Sequence, residues 1–103
     1  MSAPPFILVY TDEVDQLLDD LAKRPQYRAK NKKVKKTLKQ LRDFDPSYPG
    51  LKSHKYSSLT GPSGEEVWES YIENNTPGAW RLFWIYGPDP DTITIVTLGP
   101  HPD

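Results

Sequence analysis

The chain has 103 residues, 13 Lys and Arg against 14 Asp and Glu, and a formal net charge of -1. That length supports one domain with one modest core, and the lack of cysteine excludes disulfides, thiolate-bound metal and a cysteine nucleophile. Hydrophobic residues make up only 36%, but three tryptophans let a few large side chains fill a core that many small ones would otherwise form. The neutral total hides a segregation: ten of the thirteen basic residues fall within positions 23–42, with no acid among them. Such a patch points to a polyanionic partner, nucleic acid first, although most lysine-rich helices are only solvated faces.

In chain order, the apolar run at 6–10 predicts a strand. It is too short for a signal peptide's apolar region or a membrane span, so no membrane is expected, and a cytoplasmic address fits the absence of cysteine. Val14, Leu17, Leu18 and Leu21 then recur at helical spacing behind an N-cap at Thr11 or Asp12, and Pro25 ends that helix. A second helix is predicted over about 26–44, with Tyr27, Val34, Leu38 and Leu41 as its apolar stripe. Around it, Arg28, Lys32, Lys35, Lys36, Lys39 and Arg42 occupy an arc of roughly 120°, a continuous basic ridge. The acids of the first helix, Asp12, Glu13, Asp15, Asp19 and Asp20, are expected to face some of those lysines. Exposed pairs of this kind are worth about 0–1 kcal/mol and do not require ten positive charges.

Beyond Gly50 the pattern becomes strand-like, at about 51–56, 66–73, 79–86 and 92–98. Turn compositions at 74–78 and 87–91 predict that the last three strands form an antiparallel meander. The fold class is therefore α+β: one domain over 1–103, with an N-terminal strand, a two-helix hairpin and then four strands in one twisted sheet (β-α-α-β-β-β-β). Alternation assigns Trp68, Ile72, Leu82, Trp84 and Tyr86 to the face covered by helices, and Glu69, Tyr71 and Arg81 to the opposite face.

The two histidines, His54 and His101, lie on the strand half and form a candidate acid–base pair. Metal-free RNA cleavage needs a base to deprotonate the 2'-hydroxyl and an acid to protonate the leaving 5'-oxygen. Arg81, aided by Lys52 or Lys55, supplies donors for the charge that grows on the phosphoryl oxygens. Glu69 is placed to orient a histidine or take a proton. For each residue there is a plainer role: a satisfied strand histidine, an ion pair from Arg81 to Glu69 or Glu73, and surface packing by Tyr71. Gly61-Pro62-Ser63-Gly64 lacks the spacing of a phosphate loop, and two separated histidines make a poor zinc site. No metal and no small-molecule cofactor is expected.

Taken together, the basic two-helix unit is followed by Leu51-Lys52-Ser53-His54-Lys55, Leu59-Thr60-Gly61, Val67-Trp68-Glu69-Ser70-Tyr71-Ile72, Trp80-Arg81-Leu82-Phe83-Trp84 and Thr97-Leu98-Gly99-Pro100-His101. This ordered set resembles the RelE/ParE superfamily of bacterial toxin–antitoxin toxins across nearly the whole chain. The resemblance implies a compact α+β fold and, for the RelE, YoeB, YafQ and HigB branches, cleavage of messenger RNA in the ribosomal decoding site. It implies functional roles for His54, Arg81 and His101, phosphate binding by Lys52 among basic strand residues, and a looser role for Glu69. Tyr71 stands where the YafQ-like enzymes have histidine. Ribosome, messenger RNA and a cognate antitoxin are the implied partners, with Lys55, Tyr71 and the ridge residues Arg28, Lys32, Lys35, Lys36 and Lys39 as candidate RNA contacts. The alternative within the superfamily is a noncatalytic ParE-like toxin that acts on DNA gyrase through protein contacts, or an inactive toxin-fold regulator.

Overall fold

The computed structural model describes residues 4–100. Strand β1 (Ile7–Tyr10) leads into helix α1 (Asp12–Lys23), and a 3-10 turn (Pro25–Tyr27) joins it to helix α2 (Arg28–Phe44). A second 3-10 turn (Pro49–Leu51) precedes β2 (His54–Thr60), β3 (Glu66–Tyr71), β4 (Trp80–Tyr86) and β5 (Thr92–Pro100). The five strands form one mixed sheet in the order β1-β5-β4-β3-β2. β2 to β5 run antiparallel to their neighbours, and β1 adds to β5 in parallel.

Local chemistry explains the helix ends. Thr11 is the N-cap of α1: its hydroxyl accepts from the Val14 amide at 3.3 Å and donates to the Val96 carbonyl at 2.9 Å. Val96 is the extra residue of a bulge in β5, since Phe83 pairs with Thr97 and Trp84 with Ile95. One side chain thus caps a helix and ties it to the sheet. α2 starts two residues later than predicted, because Pro25 has no amide hydrogen and the chain makes one 3-10 turn before regular helix begins.

Both helices cover one face of the sheet. Val14, Leu21, Val34, Leu38 and Leu41 meet Leu82, Trp84, Ile93, Ile95 and Leu98, with Trp68, Trp80 and Ile72 packed against them. Trp84 is fully buried and stacks on Trp68 at 5.8 Å, which concentrates stabilising area in few residues. On the opposite face Val67, Phe83 and Ile85 are buried under Tyr56 and Val96.

Three expectations need correction. The strand predicted over 51–56 begins at His54, because Leu51 is buried from a 3-10 turn and Lys52 turns left-handed at φ 50°. Tyr86 sits at the end of β4, is 46% exposed, and meets Trp84 only edge-on at 4.9 Å. The acids of α1 do not tie the hairpin: among the described residues Asp19 pairs within its own helix with Lys23, and Lys30 and Lys33 of α2 reach Glu73 instead.

Candidate active site

The face of the sheet away from the helices carries a polar cluster where β2, β3 and β4 lie side by side. Its placement follows from register. His54 pairs with Glu69 across β2 and β3, and Tyr71 pairs with Arg81 across β3 and β4, so the three side chains expected on one face, Glu69, Tyr71 and Arg81, gain His54 as a neighbour.

His54 is held at both ring nitrogens. Nδ1 lies 2.9 Å from the Lys52 carbonyl, and Nε2 lies 2.7 Å from Glu69 Oε1. A carbonyl only accepts, so Nδ1 carries a hydrogen and donates. Nε2 lies within hydrogen-bond reach of the carboxylate, the geometry for passing a proton between the two groups. The Glu69 side chain is buried at 1% exposure whereas that of His54 is 47% exposed, so the pair joins a shielded carboxyl to a group in contact with solvent.

Tyr71 is the centre of the cluster. Its ring meets His54 edge-on at 5.9 Å, lies 3.7 Å from the Arg81 guanidinium carbon, and has the Lys52 ammonium 5.6 Å away. Three cationic or protonatable groups thus surround one π-face donor. Sequence reasoning weighed Tyr71 only as packing or an RNA contact; the signal for its central place is its register with Arg81.

Arg81 differs from the free phosphate fork expected of it. It is 9% exposed, its Nη1 donates to the main-chain carbonyls of Glu73 at 2.5 Å and Trp80 at 3.2 Å, and its buried Nε has no hydrogen-bond partner among the described residues. It makes neither of the two ion pairs weighed for it. The Glu73 carboxylate instead accepts from Lys30, Lys33 and the Trp80 amide. Burial pushes Glu73 up, but the hydrogen bonds from Lys30, Lys33 and Trp80 outweigh it and bring its pKa down to about 2. Arg81 and Glu73 together tie down the turn end of the β3–β4 hairpin beside Tyr71.

Lys52 is in the cluster, but from a turn rather than a strand. Its left-handed backbone, uncommon for a residue with a side chain, aims the Lys52 carbonyl at His54 Nδ1. That turn is anchored to the core by a chain of hydroxyls that sequence reasoning missed. The buried Trp84 indole donates to Ser70 Oγ at 2.8 Å, and Ser70 Oγ shares a 2.7 Å hydrogen bond with Ser53 Oγ. A serine at a core position of β3 was the available signal.

The remaining candidates lie elsewhere. Lys55 points to the other side of β2 from His54, pairs with Glu66 at 3.3 Å and lies over Trp68 at 5.7 Å, as alternation along a strand demands. Arg28, Lys32, Lys35, Lys36 and Lys39 are exposed on the helical layer and form no ion pair among the described residues. The ridge is real, but it does not share a face with His54. His101 lies outside the described residues, and with it the expected convergence of the two histidines. Among the described residues no three His, Asp or Glu side chains cluster as a metal site, and no helix is long and apolar enough to cross a membrane.

No family model and no curated relative matches the sequence. Solved structures do match over nearly full length. The chain superposes on the YoeB dimer structure from Staphylococcus aureus with TM-score 0.65 at 14% identity, covering 95% of this chain and 99% of that one. It superposes on the archaeal RelE–RelB complex from Pyrococcus horikoshii OT3 with TM-score 0.63 at 14% identity, and on a metal-bound toxin from Helicobacter pylori with TM-score 0.62 at 21% identity. Each of these two covers 93% of this chain and 94% of the other. The helical hairpin, the mixed sheet and these superpositions agree: the chain has the RelE-like toxin fold.

Proposed function

We propose that the chain is a toxin-type endoribonuclease that cleaves messenger RNA, on the ribosome and without a metal, in the cytoplasm, and that a cognate antitoxin neutralises it. The observation that carries this reading is the His54–Glu69 pair, a buried carboxyl 2.7 Å from a solvent-facing imidazole, beside the cations Lys52 and Arg81. In such cleavage the 2'-hydroxyl loses its proton, its oxygen bonds to the adjacent phosphorus, the bond to the 5'-oxygen breaks, and that oxygen takes a proton. The products are a 2',3'-cyclic phosphate and a free 5'-hydroxyl.

Within that scheme Nε2 of His54 exchanges its contact with Glu69 for contact with a substrate oxygen, and Glu69 stores or returns the proton. Lys52 is the chief phosphate cation, since Arg81 spends Nη1 on main-chain carbonyls and offers the phosphate only its exposed margin. His101 is the second acid–base group. The ridge of α2 docks the chain on ribosomal RNA backbone or on the antitoxin, and an antitoxin is supported by the structural neighbour RelE having been solved with RelB.

The test is expression in cells with mapping of messenger RNA 5' ends. New ends bearing 5'-hydroxyls in the wild type, lost in His54→Ala, are the expected result. Intact messages with stalled replication would instead place the chain with the gyrase-directed toxins.

A further inference from the structure

We propose that the cleft between α2 and Tyr71 binds one base of single-stranded RNA next to the phosphate held at His54, with Tyr48 as the stacking platform. The proposal rests on RNA being the ligand of the neighbouring cluster and adds a subsite to it. The cleft has a volume of about 490 Å³ and is lined by Lys33, Lys36, Gln40, Tyr48, Tyr71 and Asn74, among others. Tyr71 belongs to both places, so a nucleotide chain passing its ring reaches the cleft directly.

Tyr48 is built as a platform. A β-carbon at Gly50 would stand 2.9 Å from the Tyr48 ring, so the ring lies against bare backbone, and Phe44 supports it from α2 at 5.1 Å. Tyr48 is still 37% exposed. An aromatic face held rigid and left open costs little entropy to stack upon, and every base has a face to offer it.

The rest of the lining selects a base over an acidic peptide. Glu73 also borders the cleft, but its charge is matched by Lys30 and Lys33, and among the described residues this leaves Lys36 as the cleft's lysine without an ion pair. Gln40 and Asn74 contribute amides, which both donate and accept and so match the edge of a heterocycle. Two phenol rings, two amides and one available cation suit a nucleotide. A carboxylate-rich segment would find two rings, a carboxylate, Lys33 already paired with it and a single further lysine, Lys36.

The test measures affinity, not cleavage. A fluorescent 2'-O-methyl RNA decamer, which lacks the nucleophile, is titrated against the purified chain, and an abasic position is walked along it. The expected outcome is that Tyr48→Ala weakens binding about tenfold and Tyr48→Phe leaves it near wild type. One abasic position should weaken the wild type by a similar factor while adding nothing to Tyr48→Ala. No coupled abasic position, no RNA binding by the wild type, or a Tyr48→Ala loss confined to a polyglutamate peptide overturns the proposal. Cleavage that depends on His54 alongside unchanged RNA affinity in Tyr48→Ala sinks the cleft alone. Cleavage indifferent to His54 with Tyr48 coupling intact sinks the nuclease reading alone.

Discussion

The α2 ridge and the Tyr71 cluster hold cations in opposite ways. On the ridge, Lys32, Lys35 and Lys39 are exposed and form no ion pair among the described residues, so each keeps its hydration and adds only a diffuse positive field. In the cluster, few cations meet a buried carboxyl and an aromatic ring at fixed distances, with both nitrogens of His54 assigned a partner. Density of charge marks a surface that binds; constraint on charge marks a place where protons move. The most conspicuous feature of the sequence is therefore not the candidate for chemistry.

The comparison breaks first at His54 and Glu69. His54→Ala and Glu69→Gln should each lower RNA cleavage by at least about 100-fold while the thermal midpoint of His54→Ala stays near wild type. Single-turnover cleavage and a melting curve on the same samples check this. Equal losses from ridge substitutions would erase the distinction.

Next comes the anchor of the cluster. Ser70→Ala leaves the buried Trp84 indole without an acceptor and should cost about 1–3 kcal/mol. Trp84→Phe in the same chain removes the orphaned donor, so the double variant should lose less than the sum of the singles, measured by urea unfolding.

Glu73 gives the chain an acid limb. Its folded pKa lies below its ordinary value, so the folded state binds fewer protons than the unfolded one in between. Its contribution is present above about pH 4.5 and lost as pH falls towards about 2. Lys33 is 56% exposed, so solvent weakens its share, and a loss of about 1–2 kcal/mol is expected. Glu73→Gln should flatten that part of the stability profile.

Smaller effects sharpen the contrast. Lys52→Gly relieves a left-handed backbone, so stability should hold or rise by up to about 1 kcal/mol. The slope of RNA affinity against salt should fall by about 0.7. Replacing Lys32, Lys35 and Lys39 with Gln should change stability by no more than about 0.5 kcal/mol and weaken salt-dependent docking while leaving the chemistry of bound RNA intact.

Much of this layout is legible in the sequence, because periodicity reports faces. Period two placed Glu69, Tyr71 and Arg81 on one side of the sheet, and the same rule places Lys55 opposite His54, although proximity in sequence had grouped them. Register is what periodicity cannot report: nothing in the pattern says that Tyr71 meets Arg81 or that His54 meets Glu69. Turns hide most. Lys52 reads as a strand residue until the left-handed turn after Leu51 is known, and the Ser53–Ser70–Trp84 chain depends on that turn. Counting charges also misled, since the acids of α1 balance the lysines of α2 on paper but do not touch them.

The central claim is that chemistry resides in the Tyr71 cluster and docking on the ridge. Its most direct test is 5'-end mapping of a messenger RNA on ribosomes exposed to the wild type, His54→Ala, or the chain with Lys32, Lys35 and Lys39 replaced by Gln. The account predicts no new ends with His54→Ala, and unchanged cleavage positions at a salt-sensitive, reduced yield with the ridge variant. Wild-type cleavage by His54→Ala would contradict it.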